Sequence, residues 1–269
     1  MSAARAWRLA ALGALLGGLS MLMGGCATAP GSGDREIRTA SDHSDAEKRA
    51  RVRLELAGLY FGRGQSTTAL DEIKKALAAK PDLAEAYSLR GLVYGSMGEL
   101  KLAEESFQRA QQLAPRDGDN MHNLGWFLCQ QKRYPEADAQ FSNAMAQSQY
   151  RDTVRTLFAQ GVCQARAGRW QEAERTLSRS YELDPANPAT AYNLSDVLLQ
   201  RGELERARFY IARVNAVPDY ATSQSIWLAM RIERRLGNLA RVQELGATLR
   251  ERFPQSSEVV LLEQGRFDD

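Results

Sequence analysis

The sequence predicts an all-α protein, built as a solenoid in which pairs of helices stack on one another along the chain. Two observations predict this fold. From about residue 47 onward, apolar and small residues recur at the spacing of one helix face. Turn glycines, small residues and prolines then recur with a shared period of about 34 residues. One helix pair cannot bury its apolar face alone, so neighbouring pairs must stack to form a continuous core.

Three kinds of landmark establish the period. The turn glycines are separated by 34, 70, 34 and 35 residues: Gly64, Gly98, Gly168, Gly202 and Gly237. The small residues that open each second helix are separated by 34, 34, 36 and 34 residues: Ala69, Ala103, Ala137, Ala173 and Ala207. The prolines that close repeats are separated by 34, 70 and 69 residues: Pro81, Pro115, Pro185 and Pro254. Because independent landmarks share one period, the sequence predicts a helical repeat array.

The first 25 residues have the layout of an export signal. Arg5 and Arg8 form a basic start, an apolar run follows from Leu9 to Met23, and two glycines precede Cys26. This pattern resembles a bacterial lipobox, in which the cysteine becomes the lipidated first residue of the mature chain, although Met23 stands where Leu is usual. The alternative is an ordinary cleaved signal with an incidental cysteine. Lipidation at Cys26 is the favoured interpretation.

Residues 26–46 follow the signal and are small, polar and interrupted by proline and glycine. Such a segment buries too little apolar surface to fold, so we predict a flexible tether behind the lipidated cysteine. In lipoprotein signals an aspartate after the cysteine favours the inner membrane, and here Ala27 follows instead. The resemblance therefore implies an outer-membrane protein, anchored by its lipid and facing the periplasm.

Charge and motif content argue against several function classes. The formal net charge is +2, and it falls to zero without the two arginines of the signal, so no basic surface for nucleic acid is expected. Two histidines in the chain make a multi-ligand metal site unexpected. No nucleophile elbow, phosphate-binding loop or metalloprotease motif is present. We therefore expect no enzymatic activity, no cofactor and no small-molecule substrate.

The period and the residue types resemble the tetratricopeptide repeat over about residues 50–256, within a repeat domain that we predict at 47–269. The segment HNLGWFL at residues 122–128, followed by Ala137, Phe141 and Ala144, is among the strongest matches. The resemblance implies a right-handed superhelix with a capping helix at 257–266. Six copies fit: 50–83, 84–117, 118–153, 154–187, 188–222 and 223–256. The sixth copy is the weakest, because Val242 occupies the small-residue site and Gly246 occupies the usual aromatic site.

In arrays of this type, positions 2, 5, 9, 12 and 13 of each first helix line a concave groove that binds a helix or an extended peptide. Apart from one histidine and one aspartate, the residues that the resemblance places there are apolar or aromatic. They are Leu54, Phe61, Leu92, His122, Trp126, Phe158, Val162, Tyr192 and Asp196. Some of them must pack between neighbouring helices instead. His122 in particular is either a groove contact or a polar residue that fills space, and a metal-binding role would need partners that are missing.

Cys129 and Cys163 lie near the ends of the first helices of the third and fourth repeats. Neighbouring first helices lie side by side, so the two thiols come within reach of a disulfide. An exported protein meets an oxidising compartment, which favours the bond. The alternative is a pair of separate buried thiols that act as small apolar residues. We favour a disulfide that links the two repeats.

A lipobox, a tether, six repeats and a cysteine pair between the third and fourth repeats together resemble the type IV pilus pilotin family, PilF and PilW. The resemblance implies a scaffold that binds pilus secretin subunits and promotes their outer-membrane localisation and assembly into multimers, which supports pili and twitching motility. The alternatives are another periplasmic repeat lipoprotein, such as a β-barrel assembly subunit, and a docking adaptor for peptidoglycan hydrolases. Loss of secretin multimers on gene deletion, with intact growth, would distinguish the pilotin.

Overall fold

A computed structural model describes residues 45–267 of the chain. The predicted signal at 1–25, the predicted lipidation site Cys26 and all but the last two residues of the predicted tether lie outside the described residues. The tether was predicted to extend to residue 46, but the first helix begins at Asp45. The reason is local, because Asp45 and Glu47 place negative charge in the first turn, where it interacts favourably with the helix dipole.

The described residues form thirteen α-helices and contain no β-strand. In chain order the helices are α1 Asp45–Gly62, α2 Ser66–Ala79, α3 Ala84–Ser96, α4 Leu100–Leu113, α5 Gly118–Gln130, α6 Tyr134–Met145, α7 Thr153–Arg166, α8 Trp170–Leu183, α9 Pro188–Gln200, α10 Leu204–Asn215, α11 Ser223–Arg235, α12 Leu239–Arg252 and α13 Ser257–Glu263. The most extensive contacts join the two helices of each successive pair, from α1 with α2 to α11 with α12. The all-α solenoid of six helix pairs with a final capping helix is therefore confirmed.

First helices also contact the first helices of the neighbouring pairs. Contacts join α1 with α3, α3 with α5, α5 with α7, α7 with α9 and α9 with α11. These five contacts place the odd-numbered helices in one row along the array. Side chains on the free face of that row share a surface, and this row positions the candidate site.

The core of each pair repeats one contact between a small residue and a bulky one. A side-chain carbon added to the glycine would lie within 3.0 Å of the facing side chain in three repeats: Gly91 facing Phe107, Gly125 facing Phe141 and Gly161 facing Leu177. The absence of a side chain on the first helix therefore lets the bulky residue of the second helix fill the interface at full packing density. Phe107, Phe141 and Leu177 are all buried.

The sixth pair makes the same contact with the sizes exchanged. Met230 stands where the earlier repeats have Gly or another small residue, and Gly246 stands where they have a bulky side chain. A side-chain carbon on Gly246 would lie 3.4 Å from Met230 and 3.3 Å from Leu262 of the capping helix α13. The sixth repeat matches the repeat pattern weakly because its space is filled from the opposite helix and from the cap.

The turns between paired helices place one residue in the left-handed backbone region. The predicted turn glycines have φ angles between 73° and 82° there. The third repeat has Lys132 at the same place, with φ 60°, which explains why the glycine spacing doubles to 70 residues between Gly98 and Gly168. A lysine is strained in this region, where glycine is not.

The capping helix starts as the sequence indicates. The Ser256 side chain accepts a hydrogen bond from the backbone N–H of Val259, which satisfies one of the free donors at the helix start. The helix ends at Glu263, three residues before the end of the predicted cap at 257–266. Gly265, with φ 66°, then forms a turn that ends the helix, in which the Arg266 backbone N–H donates to the Leu261 carbonyl.

Candidate protein-binding groove

A cavity of about 390 Å³ lies along the row of first helices in repeats one to four. We call it the central groove. Five of the predicted groove residues line it: Phe61, Leu92, His122, Trp126 and Phe158. They come from α1, α3, α5 and α7, so four successive repeats each contribute to one surface.

Aromatic side chains form the main apolar lining of the central groove. Phe61, Trp126 and Phe158 are half-buried, so each packs against the core on one side and stays accessible on the other. The guanidinium of Arg166 lies 5.1 Å from the centre of the Trp126 ring and restrains that side chain. Rigid, accessible aromatic rings in a concave site are the usual anchors of protein–protein interfaces.

Polar residues that the sequence did not single out complete the groove. Arg155 donates a hydrogen bond to Asn123 Oδ1 at 3.2 Å, and Asn123 Nδ2 donates to Ser88 Oγ at 3.1 Å. Arg155 also lies 3.4 Å from Asp152 and 3.8 Å from Asp119 in ion pairs. Arg155 and Asn123 line the cavity beside Trp126, where they can hydrogen-bond the backbone of a bound segment. Arg155 is at position 2 of the fourth repeat, so its position in the repeat could have indicated it, whereas Asn123 is at position 6, which is not a groove position of the pattern.

His122 combines the two roles that the sequence left open. Its side chain is 5% exposed, yet the ring lines the central groove. Nδ1 lies 2.8 Å from Thr156 Oγ1 on α7, and Thr156 also hydrogen-bonds the Tyr150 hydroxyl. Burial, and then the nearby Arg155 charge, lower the pKa of His122 to about 4. The imidazole is therefore neutral at pH 7 and acts mainly as a polar link between α5 and α7.

The other four predicted groove residues lie outside the central groove. Leu54 packs beside Leu83 and Ala86, between the first and second repeats. Val162 is half-buried and does not line this cavity. Tyr192 and Asp196 lie further along the row, on α9.

Tyr192 and Asp196 face the sixth repeat. Asp196 forms an ion pair with Arg231 of α11 at 3.9 Å. Burial raises the pKa of Asp196, and the Arg231 charge opposes that rise. Burial also raises the pKa of Tyr192, with a further contribution from the Asp196 charge. These residues belong to a separate polar surface at the far end of the row.

Cys129 and Cys163 form a disulfide, with their Cα atoms 5.8 Å apart. Both side chains are buried, and the bond joins α5 to α7. These are the helices that carry Trp126 and Phe158. The disulfide therefore fixes the distance between two groove-lining helices as well as stabilising the array.

Residues 45–267 contain neither a metal-binding cluster nor a membrane-spanning helix. No group of three or more His, Cys, Asp or Glu side chains in that range is arranged to hold a metal ion. None of the helices described there is both long enough and apolar enough for a membrane span.

Comparison with known proteins identifies the repeat type. Models of the tetratricopeptide repeat match residues 84–117, 117–186 and 164–219, so together they extend over about half of the chain. The chain belongs to the tetratricopeptide-repeat family. Members of this family bind protein partners, and the central groove has the location and lining that such binding requires.

Two individual relatives of this tetratricopeptide-repeat protein are type IV pilus proteins. It is 26% identical over 240 residues to the type IV pilus assembly protein PilF of Pseudomonas aeruginosa, a match that covers 89% of this chain and 93% of PilF. The crystal structure of PilW, a widely conserved type IV pilus biogenesis factor, is similar with a TM-score of 0.73 and 27% identity, covering 79% of this chain and 97% of PilW.

The solved structure of Pseudomonas aeruginosa PilF has the same fold. Its TM-score is 0.69 at 23% identity, covering 82% of this chain and all of the PilF chain. The resemblance to PilF and PilW that the sequence suggested is therefore confirmed, and the chain is homologous to PilF. The similarity extends over nearly the whole of both relatives.

Proposed function

We propose that this protein is a pilotin of the type IV pilus system, which binds a segment of the pilus secretin in its central groove. One observation carries the proposal: the homology to PilF extends over 93% of that pilus assembly protein. The central groove supports it, since an aromatic-lined cavity on a row of first helices suits a peptide from another protein.

The dimensions of the central groove agree with a peptide ligand. A cavity of about 390 Å³ lies near the lower end of the range of roughly 300–1,000 Å³ that small-molecule pockets have, so it would hold only a short part of a peptide. It accommodates a few apolar side chains against Trp126 and Phe158. Arg155 and Asn123 are then placed to hydrogen-bond the peptide backbone. This division between apolar anchors and polar partners is typical of peptide recognition.

The proposal includes a lipid anchor at Cys26 and an outer-membrane location facing the periplasm. The support is the sequence around Cys26, in which an apolar run and two glycines precede the cysteine and Ala27 follows it. Several acyl chains would hold the protein firmly, because each buried methylene contributes about 0.8 kcal/mol. Membrane anchoring would then carry the bound secretin subunit to the outer membrane.

The role proposed here is that of a non-catalytic scaffold. The groove residues that could take part in acid–base chemistry already have partners within the protein. His122 is neutral and hydrogen-bonded, and Arg155 forms ion pairs with two aspartates. The hydroxyl that lies beside the His122 imidazole belongs to Thr156, which is fully buried and does not line the groove, so it is not placed to attack a bound substrate. Binding is therefore the activity that its geometry supports.

The groove is tested by Phe158→Ala, with Phe209→Ala as the matched control. Phe158 lines the central groove, whereas Phe209 is 54% exposed on α10 and lies outside it. We expect Phe158→Ala to weaken binding of purified secretin about tenfold or more, since it removes an aromatic anchor. Phe209→Ala should leave the affinity unchanged. Calorimetric titration gives the affinity, and thermal unfolding of each variant shows whether folding is affected.

Equal affinity of the Phe158→Ala and Phe209→Ala variants for secretin would exclude the central groove as its binding site. A large loss of stability in Phe158→Ala with unchanged affinity would make Phe158 a core residue only.

The lipid anchor is tested by Cys26→Ala. This change removes the acceptor of the lipid, so we expect the protein to leave the outer-membrane fraction and the number of secretin multimers to fall. Fractionation of the envelope followed by immunoblotting measures both quantities. Cys26→Ala protein that still fractionates with the outer membrane would contradict the lipid anchor, and the binding experiment would remain an independent test of the groove.

A further inference from the structure

The segment after the capping helix returns to the row of first helices. Phe267 stacks on Trp227 of α11, with ring centres 4.8 Å apart and an angle of 18° between the rings. The Arg234 guanidinium lies 4.3 Å from the centre of the Phe267 ring. Arg231 Nε donates a hydrogen bond to the Phe267 backbone carbonyl at 3.2 Å. Residues of α11 thus bind both the side chain and the backbone of Phe267.

The residues that hold Phe267 occupy ligand-binding positions of the repeat. Trp227 is at position 5 of the sixth repeat, as His122 and Phe158 are in the third and fourth repeats. Arg231 is at position 9, the position of Trp126 in the third repeat. His122, Trp126 and Phe158 line the central groove, so Phe267 lies where a bound segment would lie in the earlier repeats.

Capping of the last core cluster accounts for only part of this arrangement. The capping helix α13 already packs on the last core cluster through Val259, Leu261 and Leu262. Gly265 adopts a left-handed conformation after that helix, and this turn directs the following residues back toward α11. Phe267 packs against the same cluster and remains partly exposed, and it adds to that packing the ring stack on Trp227 and the hydrogen bond from Arg231.

We propose that Trp227, Arg231 and Arg234 form a second binding site, which takes an aromatic side chain from an extended segment of a partner protein. Phe267 occupies this site in the free protein as a built-in competitor. The partner chemistry follows from the contacts: an aromatic ring that stacks on Trp227 and Arg234, and an adjacent backbone carbonyl that accepts from Arg231. The site differs from the central groove and does not depend on the identity of the ligand proposed there.

A competing segment within the same chain lowers the apparent affinity of the second site for a separate peptide by a predictable factor. A short connection holds Phe267 at an effective concentration in the millimolar range. If a free peptide of the same sequence binds with a dissociation constant of about 0.1 mM, the attached segment weakens its binding about tenfold. Removing the Phe267 ring should restore that factor.

The test measures binding of a labelled peptide to the intact chain, purified in detergent. The probe is fluorescein-labelled EQGRFDD, the sequence of residues 263–269, and its control is the same peptide with alanine in place of phenylalanine. We expect Phe267→Ala to bind the probe about tenfold more tightly than the unaltered chain, and to ignore the control peptide. Adding Arg231→Gln should remove the gain. Fluorescence anisotropy gives each affinity.

The matched control is Phe209→Ala, because Phe209 is also an exposed aromatic ring with an arginine guanidinium 5.5 Å from its centre. This variant should bind the probe as the unaltered chain does. If Phe267→Ala fails to fold, Phe267→Leu replaces it, since leucine keeps the apolar cover without the aromatic stack, and the same gain is expected.

Three outcomes would overturn the proposal. The first is equal binding of the probe to Phe267→Ala and to the unaltered chain. The second is a gain that survives Arg231→Gln. The third is a concentration-dependent mass in sedimentation of the unaltered chain that Phe267→Ala abolishes, which would mean that Phe267 docks on a second copy of the chain.

Discussion

His122 links two neighbouring repeats through a neutral imidazole. The ring is buried on α5 and pairs with Thr156 on α7, while Arg155 and Asp152 are the charged groups that act on it. Because the pKa is about 4 in the folded protein and 6.5 when unperturbed, the unfolded chain binds the proton first as the pH falls. The contribution of His122 to stability is therefore unchanged above pH 6.5 and is lost progressively toward pH 4.

Replacement of His122 should remove this part of the pH dependence. We expect the free energy of unfolding of the unaltered protein to fall toward low pH more steeply than that of His122→Gln. The difference in slope should reach at most about 1.4 kcal/mol per pH unit between pH 6.5 and pH 4. Urea denaturation of both proteins at several pH values measures it, and parallel curves would show that the imidazole is not neutralised by folding.

At the scale of single elements, the turns show how the repeat tolerates a departure from its pattern. Lys132 adopts φ 60° where the other turns between paired helices have glycine. A residue with a side chain is strained in this region by about 1 kcal/mol. The strain is local, since α5 and α6 on either side pair as the other repeats do.

Lys132→Gly should therefore stabilise the protein by about 0.5–1 kcal/mol, because glycine adopts this backbone conformation without strain. The control is Lys74→Gly, an exposed site inside α2, which should destabilise by about 1 kcal/mol. Thermal or urea unfolding measures both changes. A destabilised Lys132→Gly would mean that the lysine side chain makes a stabilising contact that exceeds the strain.

The elements also show what sequence could and could not predict. The helix pairs were predictable because Gly91, Phe107 and their equivalents recur at a fixed spacing, which reports a packing contact directly. The sixth repeat, in which the bulky residue is Met230 and the small one is Gly246, could not be predicted in the same way. The sequence pattern shows only that Gly246 lacks a side chain. Which residue fills the space depends on α11 and α13, and that is a property of three helices together.

The same limit applies to the candidate site. The repeat pattern placed Trp126 and Phe158 on the same face of the array, because positions 5 and 9 share a helix face, and both residues line the central groove. It could not separate Leu54, which packs between repeats, from Phe61, which lines the groove. It also gave no sign that the chain after α13 would return to Trp227, because Gly265 and Phe267 lie beyond the last repeat.

At the scale of the whole molecule, the repeat array depends on contacts between neighbours. In such arrays each repeat is stabilised chiefly by the repeats beside it, so the loss of contacts at one interface also destabilises the neighbouring repeats. The disulfide between Cys129 and Cys163 opposes this at the centre of the array, where a sequence separation of 34 residues corresponds to about 2–4 kcal/mol of stabilisation. The bond also holds together the α5 and α7 helices of the central groove.

Three parts of the chain have different tasks in the proposed function. The proposed lipid at Cys26 would set the location, the central groove would bind the secretin segment, and the disulfide holds together the two helices that carry Trp126 and Phe158. Gln130 is the most useful position from which to test this account, because it is exposed, lines the central groove and lies on α5 beside the disulfide. A reporter at Gln130 would contact a bound segment without replacing any aromatic anchor.

The most direct measurement is site-specific photocrosslinking in living cells that assemble pili, with benzoylphenylalanine placed at Gln130. We expect irradiation to join the protein to the pilus secretin, because Gln130 faces the central groove. The control position is Phe209, which is exposed on α10 and lies outside the groove. Secretin crosslinked from Gln130 and absent from Phe209 is the predicted result. Crosslinking of secretin from Phe209 alone, or of an unrelated protein from Gln130, would contradict the account.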